Sequence, residues 1–171
     1  MVRDALESRP FEPPHVGLPA PAIQFLESPP PVSSWTSEVL FVAMSMAIYD
    51  RDFGGSDLAG YERWVMDFNL ALFRSPLYRV LFAMLTPRRL MLFAVSRWSA
   101  FHRASALTLR NSSSVGTELE LAFPPHLFPL PMLHAFGAAW CAAGATAGAT
   151  EPRSEILEHG PEHARYRVTW R

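Results

Sequence analysis

A chain of 171 residues with a formal net charge of −1 has the length of one domain and can enclose a sizeable core. Near-neutral charge argues against specific nucleic-acid binding, which needs a basic surface; all fifteen cationic residues are arginine. A single cysteine excludes an internal disulfide and a multi-cysteine zinc site, and "MVRDALESRPFEPP" has no apolar signal core, so a cytoplasmic location is expected.

Residues 1–32 carry eight prolines. Missing backbone donors and extended pre-proline residues predict an arm or linker here rather than a helix, docked through Phe11, Ile23, Phe25 and Leu26. Residues 33–171 are then expected to form a single ligand-binding or interaction domain. Ser33, Ser34 or Ser37 can cap a helix running from Trp35 to Tyr49, which "DRDFGGSD" interrupts. Asp57 can cap the next helix. There Tyr61, Trp64, Val65, Phe68, Leu72 and Phe73 recur at helical spacing, while Glu62, Arg63 and Asp67 face water. Breaks at Ser75-Pro76 and Thr86-Pro87 divide the apolar middle, with Thr86 as cap and Pro87 at the first helical position. "VLFVAMSMAIY" is too short to cross a bilayer and arginines interrupt the later apolar stretch. No transmembrane segment is therefore expected, which leaves peripheral membrane contact open.

After Arg103 the period falls to two. "ASALTLRN" and "TELELAF" flank "SSSVG" as a hairpin, with Thr117, Leu119 and Leu121 on one side and Glu118 and Glu120 on the other. "PPHLFPLP" leads into a helix, "PLPMLHAFGAAWCAAGATAG". "RSEILEHG" and "HARYRVTWR" form a second hairpin about Gly160-Pro161, in which Tyr166, Val168 and Trp170 share a face. The expected fold is α+β: N-terminal helices, then hairpin, helix and hairpin, forming a four-stranded antiparallel sheet packed against helices.

"SPLYRVLFAMLTPRRLMLFAVSRWSAFHR", "ALTLRN", "HAFGAAWCAAGAT" and "ARYRVTW" resemble an uncharacterised paralogous family of myxobacteria. Residues 87–171 resemble the domain shared by 4-vinyl reductase-like ligand modules, vesicle-tethering Bet3-like proteins and the heme NO-binding superfamily. The resemblance implies a sensory or interaction module with an apolar ligand cavity or a dimer surface. It does not carry over a cofactor. The heme-binding relatives use a Tyr-x-Ser-x-Arg arrangement absent from this chain, and the metal-associated relatives use several cysteines where this chain has Cys141.

His134 and Cys141 stand seven positions apart, about 10.5 Å along a helix, too far to share one metal ion. Cys141 reads as a structural thiol and His134 as a packed boundary residue. His102 and His126 can approach His134 only through the fold, and three separated histidines make no metal motif. Glu118-x-Glu120 reads as a wet strand face rather than a catalytic pair. No catalytic, cofactor or metal residue is assigned. The arginine-interrupted middle suggests instead an apolar pocket or interface rimmed by cations, comprising Arg74, Tyr78, Arg79, Phe82, Arg97, Trp98, His102, His134, Phe136, Trp140 and Cys141. The expected function is a non-enzymatic, homodimeric sensory or protein-interaction domain taking a small apolar or amphipathic ligand. An enzyme using Cys141 or a histidine cluster, and a structural assembly subunit, are the alternatives.

Overall fold

The computed structural model describes residues 18–31, 34–75, 78, 82 and 84–171. Phe11, Ser33, Leu77 and Arg79 lie outside the described residues. The chain divides into two compact units at Leu58/Ala59. The first contains α1 (Ala20–Glu27) and α2 (Glu38–Phe53), which pack on each other. Helix α1 corrects the expectation of an arm without helix. Pro21 falls in its first turn, where the missing N–H would have had no acceptor anyway. Helix α2 begins at Glu38 behind Ser37, later than Trp35, which is left exposed. It ends at Gly54 in the left-handed region (φ 61°), a conformation glycine adopts without strain.

The second unit opens with α3 (Leu58–Phe73) and continues through α4 (Pro87–Arg97), a 3-10 turn (Trp98–Ala100), β1 (Ala106–Ser112), β2 (Gly116–Ala122), α5 (Leu130–Thr146), β3 (Arg153–His159) and β4 (His163–Thr169). Helix α3 buries Tyr61 and Val65 as its spacing predicts. It also buries Asn69, whose amide donates to the Val65 carbonyl at 2.8 Å and so satisfies a donor in the interior. At α4 the Thr86 hydroxyl accepts from Arg89 N–H at 3.4 Å, and Pro87 takes the first helical position.

The four strands form one antiparallel sheet in the order β1-β2-β4-β3, so the hairpins join through their second strands. Across β2 and β4, Leu119 pairs with Tyr166 and Leu121 with Ala164, all fully buried. Helix α5 covers this face over β3 and β4, and α4 lies against β1 and α5. The other face is wet and charged. Glu118 accepts from Arg167 at 3.0 Å and Glu120 from Arg110 at 2.7 Å, while Arg165 stands 3.5 Å from Glu158. Both edge strands are irregular, at Leu109/Asn111 in β1 and at Ile156/Glu158 in β3, which interrupts the flat ladder an edge would offer a further strand.

Candidate functional site

Helix α5 has almost no solvent face: Met132, Leu133, Ala135, Phe136, Gly137 and Ala138 are buried in its first half alone. Its aromatic residues build a continuous seam with their neighbours. Trp140 meets Tyr166 edge-on at 4.7 Å and stacks on Phe136 at 6.2 Å. Phe136 in turn meets Phe128 at 5.0 Å, and Phe128 meets Phe123 at 4.9 Å. Such offset and edge-on pairs add to the burial of the rings themselves. The Tyr166 hydroxyl donates to the Leu133 carbonyl at 3.1 Å, so the buried phenol is satisfied.

At one end of the seam, Trp98 stands on the 3-10 turn that follows α4. Its indole N–H donates to Ser105 Oγ at 3.1 Å, and its ring meets Phe136 at 5.7 Å. His102 lies flat on the Trp98 indole, with ring centroids 4.0 Å apart and planes inclined by 14°, and presents an edge to Phe136 at 6.0 Å. Trp98 is buried and His102 is half-buried, so the stack reaches the protein surface. Four of the residues expected to frame a pocket, Trp98, His102, Phe136 and Trp140, are therefore brought together.

Several others that the structure describes have different partners. Tyr78 and Phe82 form a separate cluster with Phe73, at 5.7 Å and 4.8 Å from it. Arg74 and Arg97 are exposed, Arg97 lying over the Phe93 ring at 5.7 Å from its centroid. His134 Nδ1 lies 2.6 Å from Glu62 Oε1. Glu62 keeps the exposure its position on α3 implies and also holds His134; the pair is 72 positions apart in sequence and no spacing signals it. His126 is exposed with φ 61°, its N–H bound to the Pro161 carbonyl at 2.7 Å. Among the described residues no group of three or more His, Cys, Asp or Glu is arranged to hold a metal ion. A cleft of about 140 Å³ lies at the β1–β2 turn, lined by polar residues such as Asn111, Glu118 and Arg167, away from the aromatic seam.

The ionisation of Cys141 and of Glu120 is shifted away from nucleophilic and general-acid use. Burial pushes the Cys141 thiol from its ordinary 9.0 up to about 11, the Glu62 carboxylate adding to the effect, so the nucleophilic thiolate is scarce near neutrality. The hydrogen bond from Arg110 holds the Glu120 carboxyl below its usual range, the opposite of what a general acid needs. Burial also raises the Tyr166 phenol. Acids whose protons are held more tightly in the fold than in the unfolded chain give stability that is lost as pH rises. Urea midpoints are accordingly expected to fall from about pH 9 upward, between the ordinary and the raised Cys141 values. Cys141→Ala should remove a component worth roughly 2–3 kcal/mol at full titration. A pH profile identical in Cys141→Ala would contradict this.

No family model and no curated protein matches the chain. Solved structures do. One described as probing the function of heme distortion in the H-NOX family superposes with a TM-score of 0.59 at 12% identity, covering 99% of this chain and 84% of that one. A second, concerned with modulating heme redox potential through protein-induced porphyrin distortion, gives 0.60 at 12% identity, covering 99% and 88%. The Fe(II) unliganded H-NOX protein from K. algicida gives 0.57 at 8% identity, covering 99% and 92%. The chain thus has the fold of these H-NOX structures along nearly its whole length.

Proposed function

We propose that the chain is a non-enzymatic, cytoplasmic sensory domain that binds a small apolar or amphipathic ligand at the Trp98–His102 end of the aromatic seam and passes the event to a second copy or a protein partner. The kinship with the myxobacterial paralogous family belongs to this reading and rests on the sequence stretches given above. The observation that carries the proposal is the His102 imidazole lying on the Trp98 indole at 4.0 Å, at the point where the seam meets the surface. A planar apolar group replacing the imidazole would gain the same stacking surface and the edge of Phe136. Displacing His102 pulls on the 3-10 turn that links α4 to β1, which gives binding a route to the packing of α4.

Heme, named for the similar structures, does not fit these residues. Trp98 covers one face of His102, Phe136 and Trp140 fill the adjoining seam, and the Tyr-x-Ser-x-Arg arrangement of the heme-binding relatives is absent from the sequence. No heme chemistry is assigned to the chain.

Native mass spectrometry of the purified chain should show a retained small molecule and a dimer. A fluorescent planar apolar probe, anilinonaphthalene sulfonate, should bind the folded chain saturably. Removing the stacking surface with Trp98→Ala should weaken the probe roughly threefold to tenfold, whereas His102→Ala should not weaken it. A monomer with no retained molecule and no saturable probe binding, or a probe indifferent to Trp98→Ala, would overturn the reading.

A further inference from the structure

We propose that the outer face of α4, together with the exposed residues at its two ends, docks on the surface of an anionic lipid bilayer. The proposal does not rest on the ligand reading above. Its first ground is charge segregation. Between Asp67 and Glu118 the sequence has seven arginines and no acidic residue, although the chain as a whole carries a net charge of −1. The second ground is how α4 displays part of that charge. Leu90 and Met91 point inward, while Leu92 and Phe93 are exposed on the opposite side. Arg89, Phe93 and Arg97 follow one another at spacings of four, so the aromatic ring lies between two exposed cations, and Arg88 stands one turn before Leu92.

The third ground is that two apolar residues bracket this helix and stand out into water: Met84 ahead of it is 78% exposed and Phe101 behind it 72%. Isolated exposed apolar side chains are common, but here two stand on an arginine-bearing helix and two more at its ends. The three arginines of α4 are not consumed by acids. Among the described residues, Arg88 donates to the neutral Ser112 hydroxyl at 3.2 Å, Arg97 lies over Phe93, and Arg89 has no ion pair.

The occupant follows from this arrangement. A single fixed anion would be met by guanidinium groups converging on one point, and here they are spread along the helix. A bilayer of anionic lipid offers a diffuse negative sheet. Leucine, phenylalanine and methionine can enter its acyl boundary while arginine stems lie along the apolar surface and their heads stay with the phosphates. Binding then rests on apolar burial and on attraction that salt weakens.

Flotation of the full chain with vesicles tests this. The chain should float with phosphatidylcholine vesicles containing phosphatidylserine and not with phosphatidylcholine alone, and added salt should release it. Each arginine near an anionic surface contributes roughly fivefold to partitioning, so the combined Arg88→Gln, Arg89→Gln, Arg97→Gln variant should partition roughly a hundredfold more weakly. Phe93→Ser with Phe101→Ser should weaken binding while leaving the salt dependence in place. All five positions are exposed, and an unchanged unfolding temperature would confirm that the variants fold; the lipid and salt dependence of the unaltered chain tests the idea without them. No flotation with phosphatidylserine, or flotation equal in the arginine variant, overturns the proposal. Saturable binding of a soluble glutamate-rich peptide with vesicles left unbound also overturns it, in favour of an acidic protein partner. Loss of vesicle binding with probe binding intact would leave the ligand reading standing.

Discussion

Replacing Trp140 with alanine is expected to lower the stability of the chain by about 3–5 kcal/mol, the range for deleting a large buried aromatic ring. Trp140 is buried and stands at the centre of the seam, edge-on to Tyr166 on β4, stacked on Phe136 and 6.5 Å from Trp98 on the 3-10 turn. Its loss opens a void facing both the sheet and the turn, which neither the sheet ladder nor the tightly packed α5 can close by moving. Tyr166→Phe keeps the ring and forfeits only the hydroxyl's bond to the Leu133 carbonyl, a net effect of about 1 kcal/mol. Urea titrations of the two single variants should therefore separate the ring contact, lost only in Trp140→Ala, from the hydroxyl's bond, lost only in Tyr166→Phe. A Trp140→Ala chain with an unchanged urea midpoint would mean that the seam contributes nothing to the folded state.

This seam also marks the limit of what the sequence reveals. Strand alternation is local, so the hairpins, the Gly160-Pro161 turn and the burial of Thr117, Leu119, Leu121, Tyr166, Val168 and Trp170 are all legible in the order of residues alone. The Thr86 cap is equally local. Trp98, His102, Phe136 and Trp140 can be named as pocket residues because they are bulky and near one another along two helical stretches. Phe123, Phe128 and Tyr166 complete the seam and cannot be, since their approach depends on how α5 crosses the sheet. The same holds for Glu62 against His134 and for the pairing of Glu118 and Glu120 with arginines on neighbouring strands: the partner is set by register and topology. Helix α1 is hidden for a different reason. Proline reads as a breaker, and its tolerance in a first turn depends on where the helix begins.

The small residues of α5 carry the second large effect. In sequence, the small residues suggest a side that packs on another element, while Leu133, Phe136 and Trp140 fill the sheet-facing core or line a cavity. Both kinds meet the sheet. A Cβ added at Gly137 would lie 2.6 Å from Ser154 Oγ on β3, closer than such atoms pack, and a tight 3.1 Å from Ser154 Cβ. Gly144 faces the Met91 side chain of α4 at an ordinary 3.8 Å, so only Gly137 marks a point where helix and strand leave no room. Gly137→Leu should therefore cost about 3 kcal/mol through overpacking. Gly137→Ala should come out milder, since alanine returns about 1 kcal/mol of helix propensity against the clash. The obstructing hydroxyl is itself a liability: Ser154 Oγ is buried and has no hydrogen-bond partner among the described residues. Removing such a group costs little or nothing. Ser154→Gly removes both obstructing atoms and should recover most of the loss in Gly137→Ala, beyond the effect of either change alone. Denaturant midpoints for the four members of that cycle decide the matter. Independent, additive effects would show that helix and strand do not touch at this point, and that α5 rests on the sheet through its aromatic residues alone.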